Sequence, residues 1–93
     1  MTATTEERDA IAAIWAEVLG VPVGEDDDFF LSGGHSLLAT QMIARVEDRL
    51  GVRVTLRQVL DNAELTEFCE LVSLLRRQQA ADDQSATTPA GEA

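Results

Sequence analysis

Three segments of this sequence place apolar residues at the spacing of an α-helix, and no segment alternates apolar and polar residues as a strand does. The spacing predicts helices over about residues 5–19, 36–50 and 64–79. A shorter segment, "TLRQVLD" over residues 55–61, predicts one or two further helical turns. We therefore expect an all-α fold, a small bundle of three long helices plus one short helix.

Residues that favour helix ends lie at the limits of these segments. Thr4 and Glu7 have the spacing of a capping box before the first helix, and Gly20 follows its last apolar residue. Gly51 ends the second periodic segment in the same way. Arg76 and Arg77, near the predicted end of the last helix, suit its C-terminal dipole.

The apolar residues of each predicted helix gather on one side, and we expect these sides to form the core. They are Ile11, Ile14, Trp15, Val18 and Leu19 in the first helix, Leu38, Ala39, Met42, Ile43, Val46 and Leu50 in the second, and Leu65, Phe68, Cys69, Val72 and Leu75 in the last. Leu37 and Ala44 fall on the opposite side of the second helix. We expect both to be exposed.

A long loop separates the first two predicted helices. The residues from Gly20 to Ser36, "GVPVGEDDDFFLSGGHS", contain a proline and several glycines, so regular structure is not expected there. A connection of this length in a small domain usually carries function. We expect Phe29 and Phe30 to anchor the loop on the helices.

The 93 residues suffice for one small domain. After Gln79 the sequence "AADDQSATTPAGEA" has almost no large apolar residue, and such segments cannot offset the entropy lost on ordering. We therefore predict a folded domain over residues 1–79 and a disordered polar tail over residues 80–93.

Charge and composition exclude several classes of partner. Seventeen acidic residues against seven arginines give a net charge of −10, which repels phosphate backbones and anionic lipids. We expect neither nucleic acid nor a membrane as partner, and the sequence has no apolar run long enough to span a bilayer. The single Cys69 cannot form an internal disulfide, which favours a reducing, cytoplasmic setting.

Two candidate sites fail on spacing. The acidic run over residues 25–28 begins like a calcium-binding loop, but Phe30 stands where the fifth loop position needs an oxygen ligand, so no metal site is predicted. The sequence Gly34-His35-Ser36-Leu37-Leu38 begins like the nucleophile elbow of hydrolases, but it ends in leucine where that motif needs glycine. We predict no catalytic residue.

Ser36 and Cys69 each have two interpretations. Ser36 can cap the second helix, since serine favours that position, or it can offer an exposed hydroxyl whose phosphate ester the helix dipole would stabilise. Cys69 can carry an acyl group as a thioester, but its place on the apolar side of the last helix favours a buried core residue.

The segment "DDDFFLSGGHSLLATQMIARV" resembles the core motif of peptidyl carrier protein domains of nonribosomal peptide synthetases. The likeness extends from the helix of Trp15 to about Val72. In that family a serine in a Gly-Gly-His-Ser-Leu setting receives 4′-phosphopantetheine from coenzyme A, and the matching residue here is Ser36. The resemblance implies a covalent cofactor on Ser36, with Gly34 and His35 beside it, on a carrier that catalyses nothing.

His35 helps to indicate which kind of carrier this chain resembles, because carriers of fatty-acid and polyketide synthesis more often have Asp before the serine. The charges within residues 36–50 sum to zero, so the second helix lacks the acidic face of fatty-acid carriers. Both features favour a peptidyl carrier, with an acyl carrier as the alternative. One departure from the family pattern is Leu31 followed by Ser32, which predicts that the loop's apolar anchor is shifted by one position.

The resemblance also implies partners. A phosphopantetheinyl transferase would modify Ser36, an adenylation enzyme would load an amino or aryl acid, and condensation, tailoring or thioesterase enzymes would use it in antibiotic or related biosynthesis. We expect these partners to contact an apolar surface at Leu37 and Ala44, and the chain to be monomeric and a discrete, type II carrier. A non-covalent helical adaptor is the alternative from another class.

Overall fold

The computed structural model describes residues 3–85 and arranges them as four helices. They are α1 (Thr5–Leu19), α2 (Ser36–Leu50), α3 (Leu56–Asp61) and α4 (Leu65–Ser85). The predicted all-α bundle of three long helices and one short helix, with a long loop between α1 and α2, is confirmed. None of the helices in this part of the chain is both long and apolar enough to cross a bilayer.

The ends of the helices follow the capping signals. The Thr4 hydroxyl accepts a 3.0 Å hydrogen bond from the Glu7 N–H, and the Glu7 carboxylate accepts one of 2.9 Å from the Thr4 N–H. This is the predicted capping box of α1. A second capping box, which the sequence interpretation missed, joins Thr55 and Gln58 at the start of α3.

The core contains the predicted apolar faces. Trp15, Phe29 and Phe68 are fully buried and lie together, with ring centroids 5.1 Å apart for Trp15 and Phe29 and 5.5 Å apart for Trp15 and Phe68. Burying each side chain of this size contributes about 1.5–3 kcal/mol. The other predicted positions that are fully or almost fully buried are Ile11, Ile14, Ala39, Met42, Val46, Leu65, Cys69 and Val72. Together with Val59 of α3, they form one core that all four helices share.

The end of α4 differs from the prediction. The helix continues through residues 80–85, which were expected to be disordered, and ends at Ser85. Those residues include neither glycine nor proline, and alanine and glutamine favour a helix even where no apolar face is present. The rest of the predicted tail, residues 86–93, lies outside the described residues.

Arg76 and Arg77 also differ from the prediction, because the continuation of α4 to Ser85 leaves both outside its last turn. The Arg76 guanidinium donates a 2.9 Å hydrogen bond to the carboxylate of Glu7 instead. Arg76 therefore joins α4 to α1.

The loop between α1 and α2 is fixed to the start of α4 by backbone hydrogen bonds. The Phe29 N–H donates to the Ala63 carbonyl at 2.8 Å, and the Asp27 carbonyl accepts from the Leu65 N–H at 3.0 Å. The loop thus satisfies an N–H group that the first turn of a helix leaves unpaired.

The anchor of this loop is not shifted. Leu31 is 89% exposed, so the expectation of a one-position shift is wrong. Phe29, which is fully buried, anchors the loop, and Phe30 packs partly buried beside it with a centroid separation of 5.4 Å. Backbone contacts with Ala63 decide which residue faces inward, and the apolar pattern of the loop does not reveal them.

Candidate functional site

Ser36 is the first residue of α2, and the residue that caps the helix is His35. The His35 backbone is extended, with φ of −150°, and its carbonyl accepts the Ala39 N–H at 2.8 Å. The interpretation of Ser36 as the cap is therefore wrong by one position. Ser36 is exposed, and the 2.9 Å hydrogen bond from the Thr40 hydroxyl goes to its backbone carbonyl. The Ser36 hydroxyl is thus not used to cap the helix.

The start of α2 is a favourable environment for an anion. In an α-helix the N–H groups of the first turn have no carbonyl partner within the helix. In α2 the Ala39 N–H donates to the carbonyl of His35, the residue that caps the helix. The first turn of α2, all of which the structure describes, contains no acidic residue. The positive end of the helix dipole therefore faces the surroundings of Ser36 without a carboxylate in that turn to neutralise it. An exposed hydroxyl in this setting fits a phosphate ester.

Gly34 lies beside the site with its N–H already engaged. That N–H donates a 2.9 Å hydrogen bond to the Phe29 carbonyl, so it is not free to bind a phosphate. The preceding Gly33 has a φ of +110°, a backbone conformation that residues with a side chain rarely adopt. Gly33 and Gly34 therefore both determine the shape of the loop. The predicted contact of Gly34, or of the exposed His35, with the cofactor stays a prediction.

Leu37 and Ala44 are exposed, as the helical spacing predicted. Leu37 is 63% exposed and directly follows Ser36. Ala44 lines a shallow surface groove with Gln41, Arg45 and Asp48 further along α2. The surface beside the hydroxyl is thus partly apolar, and its use by partners stays a prediction.

Other exposed leucines were not singled out from the sequence. Leu31 in the loop and Leu56 and Leu60 on α3 are all at least 36% exposed. These leucines could have been identified in the sequence as apolar residues outside the periodic apolar faces. That signal is weak evidence for a functional surface, because single exposed leucines are common.

Cys69 is part of the core. Its side chain is 1% exposed, and burial raises the pKa of its thiol to about 11. The thiol is therefore protonated near neutral pH, and the protonated form is a poor nucleophile. The prediction of a buried core residue is confirmed.

Residues 9–72 match the family described as the phosphopantetheine attachment site. Among curated proteins, malpibaldin synthetase of Mortierella alpina is 44% identical over 82% of this chain. The aligned part is 1% of that synthetase, so the chain spans a small fraction of the length of the curated relatives it matches.

Solved structures of single carriers match over most of their length. BlmI, a type-II acyl-carrier-protein from Streptomyces verticillus involved in bleomycin biosynthesis, is 33% identical, with a TM-score of 0.70. The alignment covers 74% of this chain and 84% of BlmI.

A peptidyl carrier protein solved in complex with the phosphopantetheine transferase Sfp and coenzyme A is 29% identical, with a TM-score of 0.72. That alignment covers 80% of this chain and 97% of the carrier. The family match includes the exposed hydroxyl of Ser36 at the start of α2. The chain therefore belongs to the phosphopantetheine-attachment family, among the peptidyl carrier proteins of nonribosomal peptide synthesis.

Proposed function

We propose that the Ser36 hydroxyl is the attachment point of 4′-phosphopantetheine. The observation that carries this proposal is the exposure of the hydroxyl at the first residue of α2, where the helix cap does not use it. The Gly-Gly-His-Ser-Leu motif and the family match support the same residue. The cofactor, when bound, supplies a thiol at the end of a long flexible arm.

Attachment is a phosphoryl transfer to Ser36. The Ser36 oxygen forms a bond to the pantetheine-side phosphorus of coenzyme A, the bond from that phosphorus to 3′,5′-ADP breaks, and the hydroxyl proton passes to a base of the transferase. The chain contributes an exposed nucleophile and the positive end of α2, which stabilises the negative charge of the diester. The catalytic groups belong to the transferase, and the carrier itself is not an enzyme.

The cargo we propose is an amino or aryl acid, carried as a thioester in nonribosomal peptide or related natural-product biosynthesis. An adenylation enzyme would load it, and condensation, tailoring or thioesterase enzymes would take it in turn. Leu37, which is 63% exposed beside the attachment point, is the proposed apolar contact for these partners, with Ala44 further along the helix. We place the protein in the cytoplasm, where its unpaired Cys69 would stay reduced.

The carrier domain we propose comprises residues 1–79, which the family match over residues 9–72 supports, and the last residues of α4, up to Ser85, extend beyond it. The likeness to a type-II carrier supports the further proposal of a discrete, monomeric carrier. A natural reading frame that continues directly into an adenylation or condensation domain would contradict the discrete form.

Loading tests the proposed function. The protein is first treated with coenzyme A and a broad-specificity phosphopantetheinyl transferase, then with adenylating enzymes, ATP and a panel of amino and aryl acids. We expect intact mass spectrometry to show an acyl group that hydroxylamine removes, as a thioester requires. A matched sample without coenzyme A should stay unloaded. If a parallel reaction with malonyl- or fatty-acyl-coenzyme A and acyltransferases loads the protein while the panel does not, the protein is an acyl carrier. No covalent change in either reaction would indicate an adaptor.

A further inference from the structure

Gly34 is packed so closely on Phe29 that no larger residue fits in its place. A Cβ atom at Gly34 would lie 2.5 Å from Cδ2 and Cε2 of the Phe29 ring and 2.6 Å from the Phe29 carbonyl oxygen. Carbon atoms in van der Waals contact are about 3.5–4.0 Å apart. Among the described residues, positive φ occurs at Gly20, Gly33 and Gly51 and not at Gly34. Space, and not backbone conformation, therefore requires glycine at this position.

Phe29 cannot easily move to make room. Its N–H donates to the Ala63 carbonyl at 2.8 Å, and its own carbonyl accepts the Gly34 N–H at 2.9 Å. Its ring is fully buried and packs edge to face on Trp15, with the ring centroids 5.1 Å apart. The two backbone hydrogen bonds and the packing of the ring in the core together hold Phe29 in place.

We infer that Phe29 and Gly34 are positioning residues for the modification of Ser36. Phe29 is a fixed support, Gly34 rests on it, and this contact sets where the first turn of α2 presents the hydroxyl two residues later. This inference rests on the proposed function of Ser36. It also gives a reason for the second glycine of the motif that does not involve binding the cofactor.

The geometry indicates the size of the effect. Restoring an ordinary contact for a Cβ at Gly34 requires a displacement of about 1 Å, and a displacement of that size at a reacting group can slow a reaction by about a hundredfold. The loop before Ser36 can yield more readily than the buried ring of Phe29. We therefore expect Ser36 to be misplaced in a Gly34→Ala variant while the core stays packed.

The first test compares Gly34→Ala with Gly24→Ala. Both variants add one methyl group to the same loop, but a Cβ at Gly24 meets its nearest atom, the Asp27 carboxylate, at an ordinary 3.7 Å. With coenzyme A and a phosphopantetheinyl transferase, we expect kcat to fall at least tenfold for Gly34→Ala, with a smaller change in KM. Gly24→Ala should react at the wild-type rate. A wild-type kcat for Gly34→Ala would overturn the inference.

A second measurement does not depend on modification. Hydrogen exchange of the unmodified protein should be faster at the N–H groups of Ala39 and Thr40 in Gly34→Ala than in the wild type, because the first turn of α2 loses its support. Gly24→Ala should leave this exchange unchanged. Lack of modification of the wild type at Ser36 would contradict the proposed function. Unchanged hydrogen exchange in Gly34→Ala would separately contradict the positioning role of Gly34, whether or not Ser36 is modified.

Two further variants separate positioning from general loss of stability. Val72→Ala removes buried side-chain volume on α4 and should lower the melting temperature while leaving modification well below that temperature at the wild-type rate. Phe29→Leu keeps the backbone of the support but removes the ring on which Gly34 rests, so it should slow modification with Gly34 unchanged. Equal slowing of Val72→Ala and Gly34→Ala, or a wild-type rate for Phe29→Leu, would contradict the inference.

Discussion

The Arg76 guanidinium on α4 donates a 2.9 Å hydrogen bond to the Glu7 carboxylate on α1, whose other oxygen accepts the Thr4 N–H at 2.9 Å. One side chain therefore both caps α1 and joins the first helix to the last. The hydrogen bond from the Thr4 backbone is the main cause that lowers the pKa of Glu7. Burial opposes this lowering, and the hydrogen bond and positive charge of Arg76 add to it.

This pair predicts a dependence of stability on pH. Because the pKa of Glu7 is lower in the folded than in the unfolded protein, its stabilising contribution is complete above the unfolded pKa and is lost as the pH falls through the folded pKa. Glu7→Gln should lower the free energy of unfolding by about 1 kcal/mol at pH 7. The difference from the wild type should shrink below about pH 4.

Urea denaturation at pH 7 and at pH 3.5 measures this difference. Glu6→Gln, at the exposed neighbouring position, removes the same charge outside this arrangement and serves as the control. A Glu7→Gln penalty that is equal at the two pH values would show that the charge of Glu7 does not contribute.

The exposed Leu37 predicts how partners bind. Leu37→Asp should slow phosphopantetheinylation or loading by cognate enzymes about tenfold or more, or roughly 1.4 kcal/mol, because it replaces an apolar contact beside Ser36 with a charge. Circular dichroism and the melting temperature should not change, since the side chain lies outside the core. Added salt should have less effect than this substitution, because the charges of α2 cancel.

Leu74→Asp is the matched control, since Leu74 is also exposed but lies on α4. We expect its reaction rates to equal those of the wild type. Recognition would instead be electrostatic if Leu37→Asp reacted normally while neutralising the acidic residues 25–28 abolished activity.

The buried Cys69 predicts low thiol reactivity. With a pKa of about 11 in the folded protein, compared with about 8.5 for a free cysteine, its thiolate is on the order of a hundredfold less populated at pH 8. Iodoacetamide should therefore label the native protein far more slowly than the urea-unfolded protein. Because burial favours the neutral thiol, its stabilising contribution is complete below the unfolded pKa and is lost as the pH rises towards about 11.

Cys69→Ala should retain acyl loading, because the cargo is expected on the cofactor thiol and not on this residue. Rapid labelling of native Cys69, or loss of loading in Cys69→Ala, would show that this thiol takes part.

The helices could be predicted from the sequence because their signals are local. Apolar spacing and the capping residues of α1 lie within a few residues of the structure they determine, and the structure has the predicted limits for α1 and α2. The end of α4 could not be predicted in this way, because residues 80–85 have neither an apolar face nor a breaker that marks a limit. The cap of α2 is His35 and not Ser36 because the His35 backbone is extended and its carbonyl accepts the Ala39 N–H, a geometry that the preference of serine for helix caps does not reveal.

The site could be predicted in part. The motif and the turn of α2 identified an exposed hydroxyl next to an exposed leucine, and both are where the spacing placed them. The contact between Phe29 and Gly34 could not be predicted, because it depends on how the loop folds onto Ala63. The two 2.9 Å hydrogen bonds between the Gln79 side chain and the Arg53 backbone were missed for the same reason, since they join segments that are distant in sequence.

The most direct test of the attachment site is the mass of the protein after treatment with coenzyme A and a phosphopantetheinyl transferase, compared between the wild type, Ser36→Ala and Ser32→Ala. Ser32 lies in the same loop four positions earlier and is the matched control. We predict one phosphopantetheine on the wild type and one on Ser32→Ala, and none on Ser36→Ala. Fragmentation in the mass spectrometer should localise the modification to Ser36. A mass gain that persists in Ser36→Ala, or that disappears in Ser32→Ala, would contradict the assignment of the attachment site.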